Sequence, residues 1–116
     1  MPTTVDQAAR HLAKRAELRR ARAEERATAL RARLPAVVEL LGREGVRRVV
    51  LFGSIAAGRA TEDSDLDIAV EGLPAHRYFP VLADLMAVVG GVVDLVRIEE
   101  APPSLVDRLA AEGVDL

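Results

Sequence analysis

Three aspartates interrupt stretches that otherwise look like buried strands. Asp65 and Asp67 fall in "SDLDIAVE" (residues 64–71), and Asp94 falls in "VVDLVRI" (residues 92–98). Strand side chains alternate, so Asp65 and Asp67 are expected on one face, with Leu66 and Ile68 on the other. Two carboxylates held close repel, and one is driven to keep a proton. A divalent cation removes that cost, and carboxylate oxygens with positions left for water and phosphate suit Mg2+. Taken alone, a D-x-D pair at an exposed strand edge is the plainer explanation. Asp94 shifts the balance, because a lone acid buried in an apolar strand is costly unless paired. If the two strands are neighbours, three carboxylates converge into the donor set of a two-metal site for in-line displacement at phosphorus. The competing reading pairs Asp94 with an arginine, Arg97 or Arg77.

Ahead of these acids stands "VVLFGS", which ends in Gly53 and Ser54. A strand–Gly–Ser–helix junction offers an anion unpaired backbone N–H groups and the positive end of a helix. Glycine lets the backbone approach a phosphate closely, and the serine hydroxyl adds a hydrogen bond. An ordinary N-cap turn is the alternative. Ten residues separate Ser54 from Asp65, and an anion site at that spacing from a metal site is a far stronger signal than either half. Ser64, beside Asp65, is included among the nucleotide-contacting candidates.

Rival motifs fail on specific residues. Gly53 and Gly58 have Walker A spacing, but Arg59 and Ala60 stand where Lys and Ser or Thr are required. Asp63, Asp65 and Asp67 imitate the start of an EF-hand, yet Ile68 replaces its glycine and Pro74 its closing glutamate. With no cysteine, and His11 far from His76, zinc is disfavoured and disulfides are excluded. No Ser-His-Asp arrangement follows from the spacing.

The positioning elements follow from composition and periodicity. Residues 3–34 lack Gly and Pro and are rich in Ala, Arg, Glu and Leu, which predicts a long helix capped by Asp6 or a threonine. Its apolar stripe (Leu12, Ala16, Ala23, Ala27, Leu30, Leu34) is thin. Pro35 kinks this helix or opens the next, "PAVVELLGREG". Strands are expected over 46–52, 64–71 and 92–98. A helix around Val81, Leu82, Leu85, Val88 and Val89 ends at Gly90–Gly91, and a last helix opens at Pro103 or Ser104. "VDL" adds a short edge strand. Helices between short apolar strands therefore imply an α/β sheet layered with helices. The expected organisation is a basic helical arm over 1–34 and a compact domain over 35–116.

Charge is split along the 116 residues. Residues 1–48 hold 12 Lys or Arg against 6 Asp or Glu, and residues 49–116 hold 4 against 12. Fifteen of the 16 basic residues are arginine, which favours bidentate pairing with carboxylate or phosphate. A solvated helix whose arginines meet the acidic body is the leading reading, and nucleic-acid binding a minor one. No apolar run approaches membrane-spanning length, and a cytoplasmic protein is expected.

The pattern of strand, Gly–Ser, ten residues, D-x-D and a later aspartate resembles the nucleotidyltransferases of the DNA polymerase β superfamily. In size it is similar to their minimal (MNT) members. The resemblance rests on "VVLFGS", "GRATEDSDLDIAVE", "VVDLV" and "AAEGVDL". It implies an α/β (α+β) fold, a small mixed sheet flanked by helices, in which Gly53 and Ser54 hold the triphosphate of ATP. Asp65 and Asp67 would bind Mg2+, and Asp94 would join a second metal and act as general base. It further implies an antitoxin that transfers AMP to a tyrosine of a HEPN toxin partner. A non-catalytic antitoxin that occludes its partner and a small-molecule nucleotidyltransferase are the alternatives. One departure stands out. Members often carry "GSRARG" where this chain has "GSIAAG", so Ile55 and Ala57 replace arginines and Arg59 is the candidate substitute. The N-terminal helix is expected to pack on a partner or on a second copy in a homo-oligomer.

Overall fold

The computed structural model describes residues 3–116; residues 1 and 2 of the N-terminal arm lie outside them. Helix α1 (Thr4–Ala32) starts with a capping box. The Thr3 hydroxyl accepts from the Asp6 N–H at 3.1 Å, and the Thr3 N–H donates to the Asp6 carboxylate at 3.1 Å. The helix breaks at Arg33, and α2 (Leu34–Arg43) begins with Pro35 in its first turn. A proline there forfeits no hydrogen bond and has a backbone angle already suited to a helix start.

The body is a four-stranded mixed sheet in the order β3–β2–β1–β4. Strand β1 (Arg48–Phe52) lies antiparallel to β2 (Leu66–Glu71), which runs parallel to β3 (Val93–Arg97). Between β1 and β2 comes a single helical turn, α3 (Gly53–Ala57). Helix α4 (Tyr78–Val89) crosses from β2 to β3, α5 (Pro103–Glu112) follows, and β4 (Val114–Asp115) pairs with β1.

Alternation sorts the sheet's side chains into two cores. On one face Val49, Leu51, Leu66, Ile68, Val70, Val93 and Leu95 pack against Leu30 of α1, Val37 and Leu41 of α2, and Val81, Leu85 and Val89 of α4. On the other, Val50, Phe52 and Ala69 pack under Leu109 of α5. Gly113 lets the chain turn back after α5, since a Cβ there would lie 2.4 Å from the Leu109 carbonyl oxygen and 2.6 Å from Val50 Cγ1.

The two halves of α1 differ. Leu30 is 2% exposed and belongs to the main core, with Ala27 packed against it. Nearer the N-terminus, Leu12 is 61% exposed and Val5 77%. The molecule is accordingly elongated, with extents of 66 × 29 × 20 Å. The second half of α1 packs on the body through Leu30 and Ala27. Its arginines meet the acidic segment, with Arg22 3.6 Å from Glu62 and Arg26 3.9 Å from Asp65.

Candidate active site

The register of the sheet brings the site together. Asp67 pairs with Asp94 across the parallel β2–β3 ladder, and on its other side with Phe52, the residue before Gly53. Paired residues point to the same face, so both carboxylates lie on the α5 side of the sheet, next to the end of β1. Strand β3 is an outer strand, and Asp94 is exposed on it.

Gly53 explains the close fit. Its φ is +73°, in the region that favours glycine. A Cβ on it would fall 2.1 Å from Asp67 Oδ2 and 2.7 Å from Asp67 Cγ. The first turn of α3 and the Asp67 carboxylate therefore share one small space. Helix α3 is only five residues long, so attraction for an anion must come from its backbone N–H groups, which lack intrahelical partners, rather than from a long helix.

Asp67 bears the electrostatic cost. Burial, then the negative charges of Asp94 and Asp65, push its carboxyl up to about 6, and a hydrogen bond shared with Asp94 adds to the rise. Arg108 of α5 acts in the opposite direction. The arginines considered for Asp94 are engaged elsewhere. Arg77 forks onto Glu44 at 2.9 and 3.1 Å, while Arg97 donates to the Leu73 carbonyl at 2.8 Å and to Glu100.

Asp65 sits apart from this pair. Strand β2 begins at Leu66, not at residue 64, so alternation does not fix the Asp65 side chain. Its Oδ1 lies 3.9 Å from Arg26 Nη2, although its charge still reaches Asp67. Among the described residues no three acidic or histidine side chains are already drawn together as a ligand cluster. The Asp67–Asp94 pair, with Asp65 beside it, is nonetheless an all-oxygen donor set carrying a repulsion that a hard divalent cation relieves, which fits Mg2+.

Ser64 is 7% exposed. Its hydroxyl accepts from the Thr61 N–H at 2.8 Å and from Ser54 Oγ at 2.9 Å, tying the loop before β2 to the first turn of α3. In this structure it supports Ser54 from behind. Arg59 is exposed, and its backbone N–H donates to the Ser54 carbonyl at 2.9 Å. Ile55 is 1% exposed in the main core, with Arg31 donating to its carbonyl at 2.5 Å. Arg26, Arg31 and Arg108 went unnoticed in the sequence. They lie 24–41 residues from the groups they act on, and only the helical composition around them was a signal.

Comparison with known proteins places the chain in a family. Residues 37–116 match the family described as polymerase beta, nucleotidyltransferase. A protein of Methanocaldococcus jannaschii, named as a candidate protein adenylyltransferase, is 34% identical over 69% of this chain and 89% of its own length. The protein adenylyltransferase MntA of Thermococcus cleftensis is 48% identical over 50% of this chain, which spans 62% of that protein's length. A crystal structure described as a toxin–antitoxin with AMP-PNP superposes with a TM-score of 0.62 at 26% identity, covering 68% of each chain. The Gly–Ser turn, the paired aspartates and the mixed sheet all lie within the matched region: this chain belongs to the polymerase beta nucleotidyltransferase family, and it is a nucleotidyltransferase.

Proposed function

We propose that the protein transfers AMP from ATP to a hydroxyl, a tyrosine by the family resemblance, on a HEPN-type toxin, and so acts as its antitoxin in the cytoplasm. One observation carries this reading. Asp67, packed against Gly53, is the register partner of Asp94, and Asp94 is exposed on an outer strand where a folded partner can approach. The names of the relatives and the toxin–antitoxin neighbour point the same way.

In this reading the backbone at Gly53 and Ser54 receives the triphosphate, with Arg59 or Arg108 as the added cation. Asp65, Asp67 and Asp94 hold Mg2+, which when bound neutralises charge gathering on the phosphate oxygens. Asp94 takes the proton of the acceptor hydroxyl. The hydroxyl oxygen then bonds to the α-phosphorus as the bond from that phosphorus to the bridging oxygen breaks, and pyrophosphate leaves with the electron pair. The acceptor is positioned by the partner's own fold. No helix among the described residues is long and apolar enough to cross a membrane.

The test is intact-mass spectrometry of the toxin after incubation with this protein, ATP and Mg2+. The toxin is expected to gain AMP units, and Asp94→Asn to add none. Silencing without added mass would replace transfer by occlusion.

A further inference from the structure

The family match begins at residue 37, yet an arginine of α1 reaches the segment that carries Asp65. We propose that Arg26 is a positioning residue for the metal-binding aspartates, clamping the segment that carries Asp65. The inference rests on reading Asp65, Asp67 and Asp94 as a metal site.

Three contacts of one guanidinium carry it. Arg26 Nε donates to the Ser64 carbonyl at 2.9 Å. Its Nη2 lies 3.9 Å from Asp65 Oδ1. A Cβ on Gly91 would come within 3.3 Å of the same Nη2, so the guanidinium also rests against the turn that leads into β3. Arg26 thus touches the lead-ins of both strands that carry the aspartates. It is itself firmly based. Leu30, one turn further along α1, is in the main core, and Arg31 is bonded to the Ile55 carbonyl. The planar fork of arginine, with five fixed donors, can bond the Ser64 carbonyl and face Asp65 at once while its flat edge lies beside Gly91, a geometry that a lysine ammonium does not reproduce.

Two opposite effects follow from a cation here. Its charge opposes an incoming metal, whereas its hydrogen bond to the Ser64 carbonyl fixes the backbone next to Asp65. The ion pair is long, and the Asp65 side chain is 46% exposed, so solvent screens it. The bond to the Ser64 carbonyl is short, charge-assisted and partly buried. The clamp is therefore the larger effect.

The experiment titrates Mn2+ into the full-length protein without nucleotide, reading free Mn2+ by electron paramagnetic resonance, with thermal melts in chelator as a folding control. Arg26→Ala is expected to weaken Mn2+ binding about tenfold or more, as removing a partner of a metal ligand commonly does. Arg26→Lys should recover part of the loss. Arg22→Ala, one turn away and paired with Glu62, should bind like the wild type. If Arg26→Ala does not fold, a several-fold loss in Arg26→Lys against an unaffected Arg22→Ala carries the same conclusion. Unchanged or tighter binding by folded Arg26 variants overturns the clamp. A wild type that binds no Mn2+ overturns the metal reading instead, and the clamp with it.

Discussion

The carboxylate rim and the N-terminal half of α1 obey opposite rules. At the rim, local preferences are violated. Two acids face each other across a ladder, a glycine sits at φ +73°, and a carboxylate is held against a backbone turn. Along residues 4–20, local preferences agree. A capping box opens the helix, and it then runs on without a Gly or Pro. Yet this half touches little of the body, and Leu12 and Leu18 stay 61% and 48% exposed. Conflict tolerated in a packed region marks chemistry, because the rest of the fold must offset it. Agreement without packing leaves a surface whose stability rests on the helix alone.

The sharpest break of this contrast is Asp67→Asn. Activity should fall by at least about 10²-fold, given that even indirect partners of a metal cost 10–100-fold. Metal-free stability at pH 7 should rise, because the substitution removes a buried charge facing Asp94 and Asp65, which Arg108 only partly offsets. The sign fixes the pH dependence. A folded pKa of about 6, above the ordinary 3.8, contributes stability that is fully present below about pH 4 and is lost as pH rises through 6. The wild-type melting temperature in chelator should fall over that window and level off above it, and Mg2+ at pH 7 should restore it. The Asn variant should show neither trend. Melting curves across pH, with and without Mg2+, check both; a flat wild-type profile would remove the strained-pair account.

Much of this rim was legible in the sequence because it depends on short-range pattern. Alternation placed Asp67, and an acid inside "VVDLV" announced a neighbour. The adjacency of β2 and β3 was only a condition there, since no local signal reports which strands pair. Asp65 was less legible. Its strand was expected from residue 64 but starts at Leu66, which frees the side chain to turn toward α1. The role of Ser64 as a support for Ser54 depends on hydrogen bonds to Thr61 and Ser54 that only the folded loop creates. The thin stripe on α1 did foretell weak packing, but not that Leu30 would enter the core while Leu12 stayed out. That depends on where the break at Arg33 aims the helix.

Gly53→Ala tests whether the conflict at the rim is steric as well as electrostatic. A left-handed backbone costs a non-glycine residue about 1–2 kcal/mol. The added methyl also meets Asp67 Oδ2, the movable end of a side chain, so Asp67 should swing away. Expected results are a stability loss of about 1–2 kcal/mol in chemical denaturation and a fall in AMP transfer out of proportion to it. Wild-type activity in a folded Ala variant would mean that the turn and the carboxylate do not need this packing.

Thr3→Ala probes the other region, where the smallest effect is expected. Losing a helix cap costs about 1 kcal/mol of local helix stability, and here the Asp6 N–H loses its acceptor and the Asp6 carboxylate loses the Thr3 hydroxyl, while the backbone N–H of residue 3 is kept. In a helix packed along its whole length, that loss would appear in global unfolding. Residues 4–20 make few contacts with the core, so they can fray while β1–β3, α2 and the Leu30 end of α1 stay folded. Amide exchange over residues 4–10 should therefore speed up several-fold, while the melting temperature and the rate of AMP transfer stay at wild-type values. Binding to a partner or second copy that covers Leu12 should slow the exchange in both proteins. A drop of several degrees in the isolated variant's melting temperature would show that the N-terminal half is coupled to the body, and the contrast between the two regions would fall.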